Sequence, residues 1–248
     1  MANPIGYILE EFDSPIDGKP CVAIMTMKSR NKKTGNMCQV YILRRDKHPK
    51  EVIDQHDDQS ICGDCIHRAD PETGRARTCY VNVTMQGVNT VWDTYKNNGY
   101  AKEFTWEEGR KVLKGRHIRW GAYGDPAMIN PQIFNMVNQC AAGHTGYTHQ
   151  WKKNFAQVYK NNFMASVDSY YDQKLAEAHG WKTYHVAPLG ITGQGVKCPN
   201  TVEGSMSQCL TCGLCDGDKT NVWIEIHGPA KGQWGHYNKK ATREVSHA

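Results

Sequence analysis

Seven of the chain's ten cysteines fall in two short segments. In CPNTVEGSMSQCLTCGLCDG, Cys198, Cys209, Cys212 and Cys215 follow a C-x10-C-x2-C-x2-C spacing. Two-residue gaps turn successive thiolates toward one centre, so four of them complete a tetrahedral zinc site or hold an iron–sulfur cluster. His227 is an alternative to Cys198 as fourth ligand. The earlier segment, ICGDCIHR followed by Cys79, gives Cys62, Cys65 and Cys79 with His67 beside them. With His67 as fourth ligand this is a second zinc site. With three thiolates alone it holds an iron–sulfur cluster with one open iron, and with no metal it is a set of reduced structural thiols. Cys21, Cys38 and Cys140 lie in apolar runs and read as core.

Metal is favoured over disulfides because the start, MANPIGYILEEFDSP, lacks the basic and apolar regions of an export signal. No run of eighteen apolar residues reads as a membrane span. A cytoplasmic protein with no membrane partner is expected. The 248 residues suffice for one substantial domain, and the net charge of +5 with eleven histidines permits a nucleic-acid partner.

CVAIMTM (21–27) and CQVYILR (38–44), joined by a polar loop carrying Gly35, predict a β-hairpin. A short helix over 48–55 follows, with Pro49 in its first turn. From about residue 105 strand and helix patterns alternate. Strands are expected at 117–123, 145–151, 163–168, 182–188 and 221–228, with 80–85 a further candidate. Helices are expected after the Thr105/Glu108 capping pair, at 130–143 with Asn130 as cap and Gly143 past its end, at 154–161, and at 169–179 before Gly180. The expected fold class is α/β: a partial (β/α) barrel of about six units, or else an open doubly wound sheet, with the N-terminal β-hairpin and Cys-rich metal-binding loops. The expected division is 1–60 for hairpin and short helix, 61–228 for the barrel, and 229–248 for a basic tail.

Chemistry on such a fold belongs at the carboxyl ends of strands. Asp125, in YGDP, and Asp168, in SVDS, are the strand-end carboxylates, and His149 in GYTHQW is the third candidate. If their environments separate the two pKa values, one carboxylate serves as nucleophile and the other as general acid or base. Tyr123, Gly124, Tyr147 and Ser169 flank these positions as candidate substrate-binding residues. The structural alternatives are a helix cap for Asp168, turn chemistry for Asp125, packing for Tyr147 and a hydrogen-bonded structural role for His149. RHIRWGAY and YTHQWKKNFAQVYK mix aromatic and basic residues, a pattern that can grip phosphates and stack bases, or form a solvated face over a buried stripe.

Together, ICGDC-HR…CYVN, GAYGDPA, GYTHQW, MASVDS and the late cysteine run resemble a cysteine-rich family of phage-encoded proteins over roughly residues 37–215. Further out, the layout is similar to the tRNA-guanine transglycosylases and their phage relatives that place 7-deazaguanines in DNA. That resemblance implies Asp168 as nucleophile at the sugar carbon and Asp125 as general base. It also implies zinc on Cys198, Cys209, Cys212 and Cys215, with DNA rather than tRNA and a small deazaguanine base as partners, in the host cytoplasm. The layout also resembles the radical S-adenosylmethionine enzymes. Here Cys62, Cys65 and Cys79 correspond to the cluster-binding cysteines, YGDP to the glycine-glutamate-proline motif of the second strand, and the late cysteines to an auxiliary cluster. Their usual spacing is C-x3-C-x2-C, against C-x2-C-x13-C here. The base-exchange enzyme is the leading expectation and the radical enzyme its rival. A non-enzymatic zinc protein that binds nucleic acid stands third.

Overall fold

The computed structural model describes residues 4–29, 31–85 and 87–227. The basic tail expected over 229–248 lies outside them. Strands β1 (Gly6–Asp13), β2 (Pro20–Thr26) and β3 (Cys38–Arg44) form an antiparallel meander. The expected hairpin is β2 with β3, in a register that sets Cys21 opposite Arg44 and Thr26 opposite Gln39. β1 covers its free edge and was not read from the sequence. Most residues of β2 and β3 are buried, as their continuous apolar runs require when both faces are covered.

β3 is also the first strand of a parallel series. It pairs with β4 (His117–Tyr123), and β4 pairs with β5 (Gly143–Thr145). A second five-stranded sheet runs in the order β6 (Tyr147–Thr148), β7 (Met164–Val167), β8 (Thr183–Ala187), β10 (Val222–Glu225), β9 (Val196–Lys197), with every pairing parallel. Only Gly146 separates β5 from β6. Its N–H donates to the Cys215 carbonyl, and its own carbonyl accepts from Met164. The fold is therefore mixed α/β with two five-stranded sheets, and among the described residues no pairing closes them into a barrel.

The helices between strands are short and capped as their sequences dictate. α1 (Pro49–Asp54) starts on the His48 ring, and α2 (Gln59–Cys62) ends at a cysteine. α3 (Val88–Lys96) was not anticipated; 80–85, a candidate strand, is turn and irregular chain. α4 (Trp106–Val112) and α5 (Pro131–Cys140) begin on the side chains of Thr105 and Asn130, which accept from Glu108 and Gln132. α5 stops at Cys140, so Gly143 opens β5 instead of following the helix. The strand expected at 145–151 ends at Thr148, and Asn154–Tyr159 is a 3-10 helix, not α. α6 (Tyr170–Ala178) is capped by Ser169, whose hydroxyl accepts from the Asp172 N–H, and not by Asp168. The last helix, α7 (Cys209–Cys212), is a single turn inside the late cysteine segment. No helix among the described residues is long and apolar enough to cross a membrane.

The core between sheet and helices is aromatic. Phe134 of α5 sits 5.0 Å from the ring centres of both Trp120 and Phe163 and 5.3 Å from Tyr159. Cys21, Cys38 and Cys140 are buried, as expected of core thiols. At the end of β3, Arg44 is almost fully enclosed and forks onto Asp46 at 2.8 and 2.9 Å, with Asp57 at 4.0 Å. Burial would raise the Asp46 carboxyl, but the guanidinium more than reverses that. Hydrogen bonding from Lys47, aided by Lys19, likewise holds Asp57 low.

Two predictions follow from this frame. Gly124 adopts φ +77°, and a Cβ there would meet the backbone oxygen of Ile42 at 2.6 Å. Gly124→Ala should lower unfolding free energy by at least about 2 kcal/mol in urea titration. Both Asp46 and Asp57 titrate below their unfolded value of about 4, so their stabilisation is complete above that pH and is lost as pH falls through the lower folded values. Asp46→Asn/Asp57→Asn should flatten the fall in melting temperature below pH 4 seen in the parent; an unchanged acid profile would contradict the assignment.

Candidate metal centre

β4 runs parallel to β5, β6 runs parallel to β7, and the residues just past β4, β6 and β7 come together. Asp125 follows β4 by two positions, His149 follows β6, and Asp168 follows β7. The β3–β4 connection carries Cys62, Cys65, His67 and Cys79 to the same place. Its cysteine turn is tightly held. Cys65 N–H bonds the Cys62 carbonyl, Gln150 Nε2 donates to that same carbonyl at 3.0 Å, and Gly63, at φ +53°, leaves no room for a Cβ against Gln150. Arg68 pairs with buried Asp58 at 2.7 Å and donates to the Gly63 carbonyl. Arg77 donates to the carbonyls of Cys79 and Val81.

Asp168 lies between two imidazoles. Its Oδ1 is 2.9 Å from His67 Nε2, and its Oδ2 is 3.6 Å from His149 Nε2. The other His67 nitrogen meets Thr78 Oγ1 at 3.0 Å, which fixes the ring. The rings of His67 and His149 stand edge to face, 5.6 Å apart. Among the described residues, these three side chains are the one set of three or more His, Cys, Asp or Glu whose ligand atoms all lie within 4.8 Å of one another, a geometry that can hold a metal ion. Neither cysteine set is that compact.

The electrostatics join the two halves of the centre. Burial favours a neutral Asp168, yet His67 and His149 hold its carboxyl well below the usual range. Burial works against protonation of His149, but Cys65 and Asp168 push its pKa well up. Burial would raise the Cys65 thiol; His149, with His67, outweighs it and brings Cys65 below the ordinary thiol value. Cys62 goes the other way, raised by burial and by Asp58, Cys65 and Cys79. The three thiols are thus near enough to influence one another, and Cys65 is the one whose thiol pKa is lowered.

Asp125 has a different position from the one its sequence context implies for a general base. Its Oδ1 accepts from Ala127 N–H at 3.0 Å and its Oδ2 from His149 N–H at 2.8 Å, while its own N–H donates to the Ile61 carbonyl at 2.7 Å. Burial raises its pKa. The carboxylate ties the end of β4 to His149, and it touches the centre through the backbone.

The remaining candidates separate. Tyr123 is buried beside Cys62 and Arg77, its hydroxyl without a hydrogen bond. Gly124 passes under Ile42, and Ser169 is the α6 cap. Tyr147 stacks on Tyr184 at 4.6 Å. His227 stacks on Tyr80 at 6.0 Å. Cys198, Cys209, Cys212 and Cys215 gather at a second locus anchored to the β2–β3 loop: Cys209 N–H bonds the Lys33 carbonyl, Leu210 N–H that of Thr34, and Gln208 Nε2 that of Lys32. Burial raises Cys198, Cys209 and Cys215, and neighbouring thiols of the set add to it. Thr78 and Gln150, which position His67 and the cysteine turn, were not singled out from sequence; nothing in their local pattern marks them. No protein-family model, curated protein or solved structure matches the chain.

Asp125→Asn leaves one buried backbone N–H without its carboxylate acceptor. It should cost about 1–3 kcal/mol of stability in urea titration.

Proposed function

We propose that the protein is an iron–sulfur enzyme of the radical S-adenosylmethionine type, with its cluster on Cys62, Cys65 and Cys79. The observation that carries the reading is topological: the three thiols lie in the first crossover of a parallel strand series, beside the carboxyl ends of the strands that follow. Thiolates on one tetrahedral zinc, each bonded at about 2.3 Å, sit roughly 3.8 Å apart. The looser grouping of both cysteine sets suits a cluster, whose thiolates bind separate irons. YGDP at the end of the second parallel strand matches the position of the motif it resembles.

When bound, such a cluster keeps one iron open for S-adenosylmethionine and supplies the electron that cleaves it. The chain's own residues prepare the place. The lowered pKa of the Cys65 thiol favours the thiolate that metal ligation requires, with His149 and His67 as the neighbours that lower it. Asp168 bonds the His67 ring and faces the His149 ring at 3.6 Å. Gln150, Arg68 and Arg77 fix the carbonyls of the cysteine loop, so the thiols are arranged before a cluster arrives. Cys198, Cys209, Cys212 and Cys215 form a second metal locus in this reading.

The base-exchange alternative keeps one supporting observation: Asp168 is a buried carboxylate held ionised at a strand end. It has less support at Asp125, where both oxygens are engaged by backbone N–H groups. A simple metal ion on His67, His149 and Asp168 is the other arrangement the geometry accommodates.

Anaerobic purification followed by iron, sulfide and zinc analysis decides among them. The expected result is iron with acid-labile sulfide and, on reduction, release of methionine from S-adenosylmethionine. Cys62→Ala, Cys65→Ala or Cys79→Ala should each abolish that release, with iron retained at the late cysteines. Zinc without sulfide would overturn the reading. Incorporation of labelled deazaguanine into DNA, lost in Asp168→Ala, would establish base exchange in its place.

A further inference from the structure

A groove of about 1450 Å³ runs from the cysteine-rich region along the exposed parts of β3 and β4 toward the N-terminal meander. Five of the described residues lining it are basic, and none is Asp or Glu. The whole chain carries 25 acidic against 30 basic residues, so this lining is far from its average. One of the five, Lys111, stands 3.9 Å from Glu108, which is outside the lining. Lys28 and Lys33 are exposed on the β2–β3 loop, where no carboxylate meets them among the described residues.

The two arginines are more specific. Arg119, on β4, reaches Tyr80 Oη at 2.9 Å and Gln39 Oε1 at 3.5 Å, with Tyr147 and Cys209 as its other electrostatic neighbours. Arg116 donates to the carbonyls of Met27 and Asn36. Both guanidiniums meet neutral acceptors and no carboxylate among the described residues. A half-enclosed cation left without an anion is costly, whereas five fixed donors match the oxygens of a phosphate. Tyr41 and Tyr80 also line the groove, with Tyr80 stacked on His227, another lining residue. Tyr80 directly follows Cys79, and Arg119 has Cys209 among its electrostatic neighbours, although no cysteine lines the groove itself.

We infer that this groove binds a phosphorylated nucleoside, either free or as one unit of a single strand, with the phosphate at Arg119 and the ring against tyrosine. Cations and aromatic faces without acidic residues are the combination that holds a nucleotide backbone while a base stacks. As the substrate site of the enzyme proposed above, it rests on that reading; as an anion-binding groove it stands on charge and shape alone.

The test uses the full chain as purified and follows fluorescence anisotropy of labelled oligothymidylate. Arg119→Gln should weaken binding by about tenfold or more. Lys28→Ser/Lys33→Ser, at exposed positions where folding is not at stake, should lower the slope of log affinity against log salt by about 0.7 per lysine. Competition separates the sources. Thymidine monophosphate displacing the probe at low stoichiometric excess indicates a free nucleotide; displacement only by unlabelled oligothymidylate indicates a strand. Inorganic phosphate competing as well as the nucleotide would overturn the role of the tyrosine rings. No binding of any of the three, or binding unchanged in both variants, would overturn the site. Iron content read on the same samples keeps this result distinct from the fate of the cluster.

Discussion

The carboxylate of Asp125 holds the strand-end edge of this molecule together. It takes an N–H from its own strand-end turn and another from His149 after β6, while its backbone N–H anchors the cysteine segment at Ile61. Three pieces of chain far apart in sequence thereby meet with fixed spacing. His149 is aimed at Asp168 because its backbone is clamped, and Cys65 reaches His149 because the Ile61 end of its loop is clamped at the same residue. A carboxylate completely enclosed by such bonds is a joint; the freedom to move a proton belongs to the groups that it positions.

Much of this was legible in the residues. The hairpin, β4, the caps at Thr105 and Asn130 and the burial of Cys21, Cys38 and Cys140 follow from local chemistry: apolar runs, a capping oxygen, a proline at a helix start. The site was half legible. Strand ends and clustered cysteines pointed to Asp125, His149, Asp168, Cys62, Cys65 and Cys79, because the edge of a parallel sheet gathers whatever follows its strands. What could not be read was which of two adjacent residues takes which duty. Ser169 caps α6 and Asp168 is left to the histidines, since a hydroxyl satisfies the first turn and the carboxylate is drawn to two imidazoles 101 and 19 positions away in sequence, an attraction no local pattern encodes. Thr78 and Gln150 were invisible for the same reason.

The interruption between β5 and β6 has a similar origin. A strand was expected to run through TGYTHQW, and it breaks at Gly146 because the Cys215 carbonyl occupies its N–H. A Cβ at that position would also meet Phe163 and Trp120 within 3.2 Å. The late cysteine loop is thus bonded to the chain at the point where it passes from the first sheet to the second.

The same loop grips the β2–β3 turn through the carbonyls of Lys32, Lys33 and Thr34. Two of these are main-chain bonds and the third comes from the Gln208 side chain, and together they fasten the late cysteine segment to a hairpin tip far away in sequence. Lys33 sits on that tip and lines the basic groove. The backbone that carries the late thiols is thus tied directly to the backbone that carries Lys33, so a cysteine locus and the rim of the basic groove share one set of anchoring bonds.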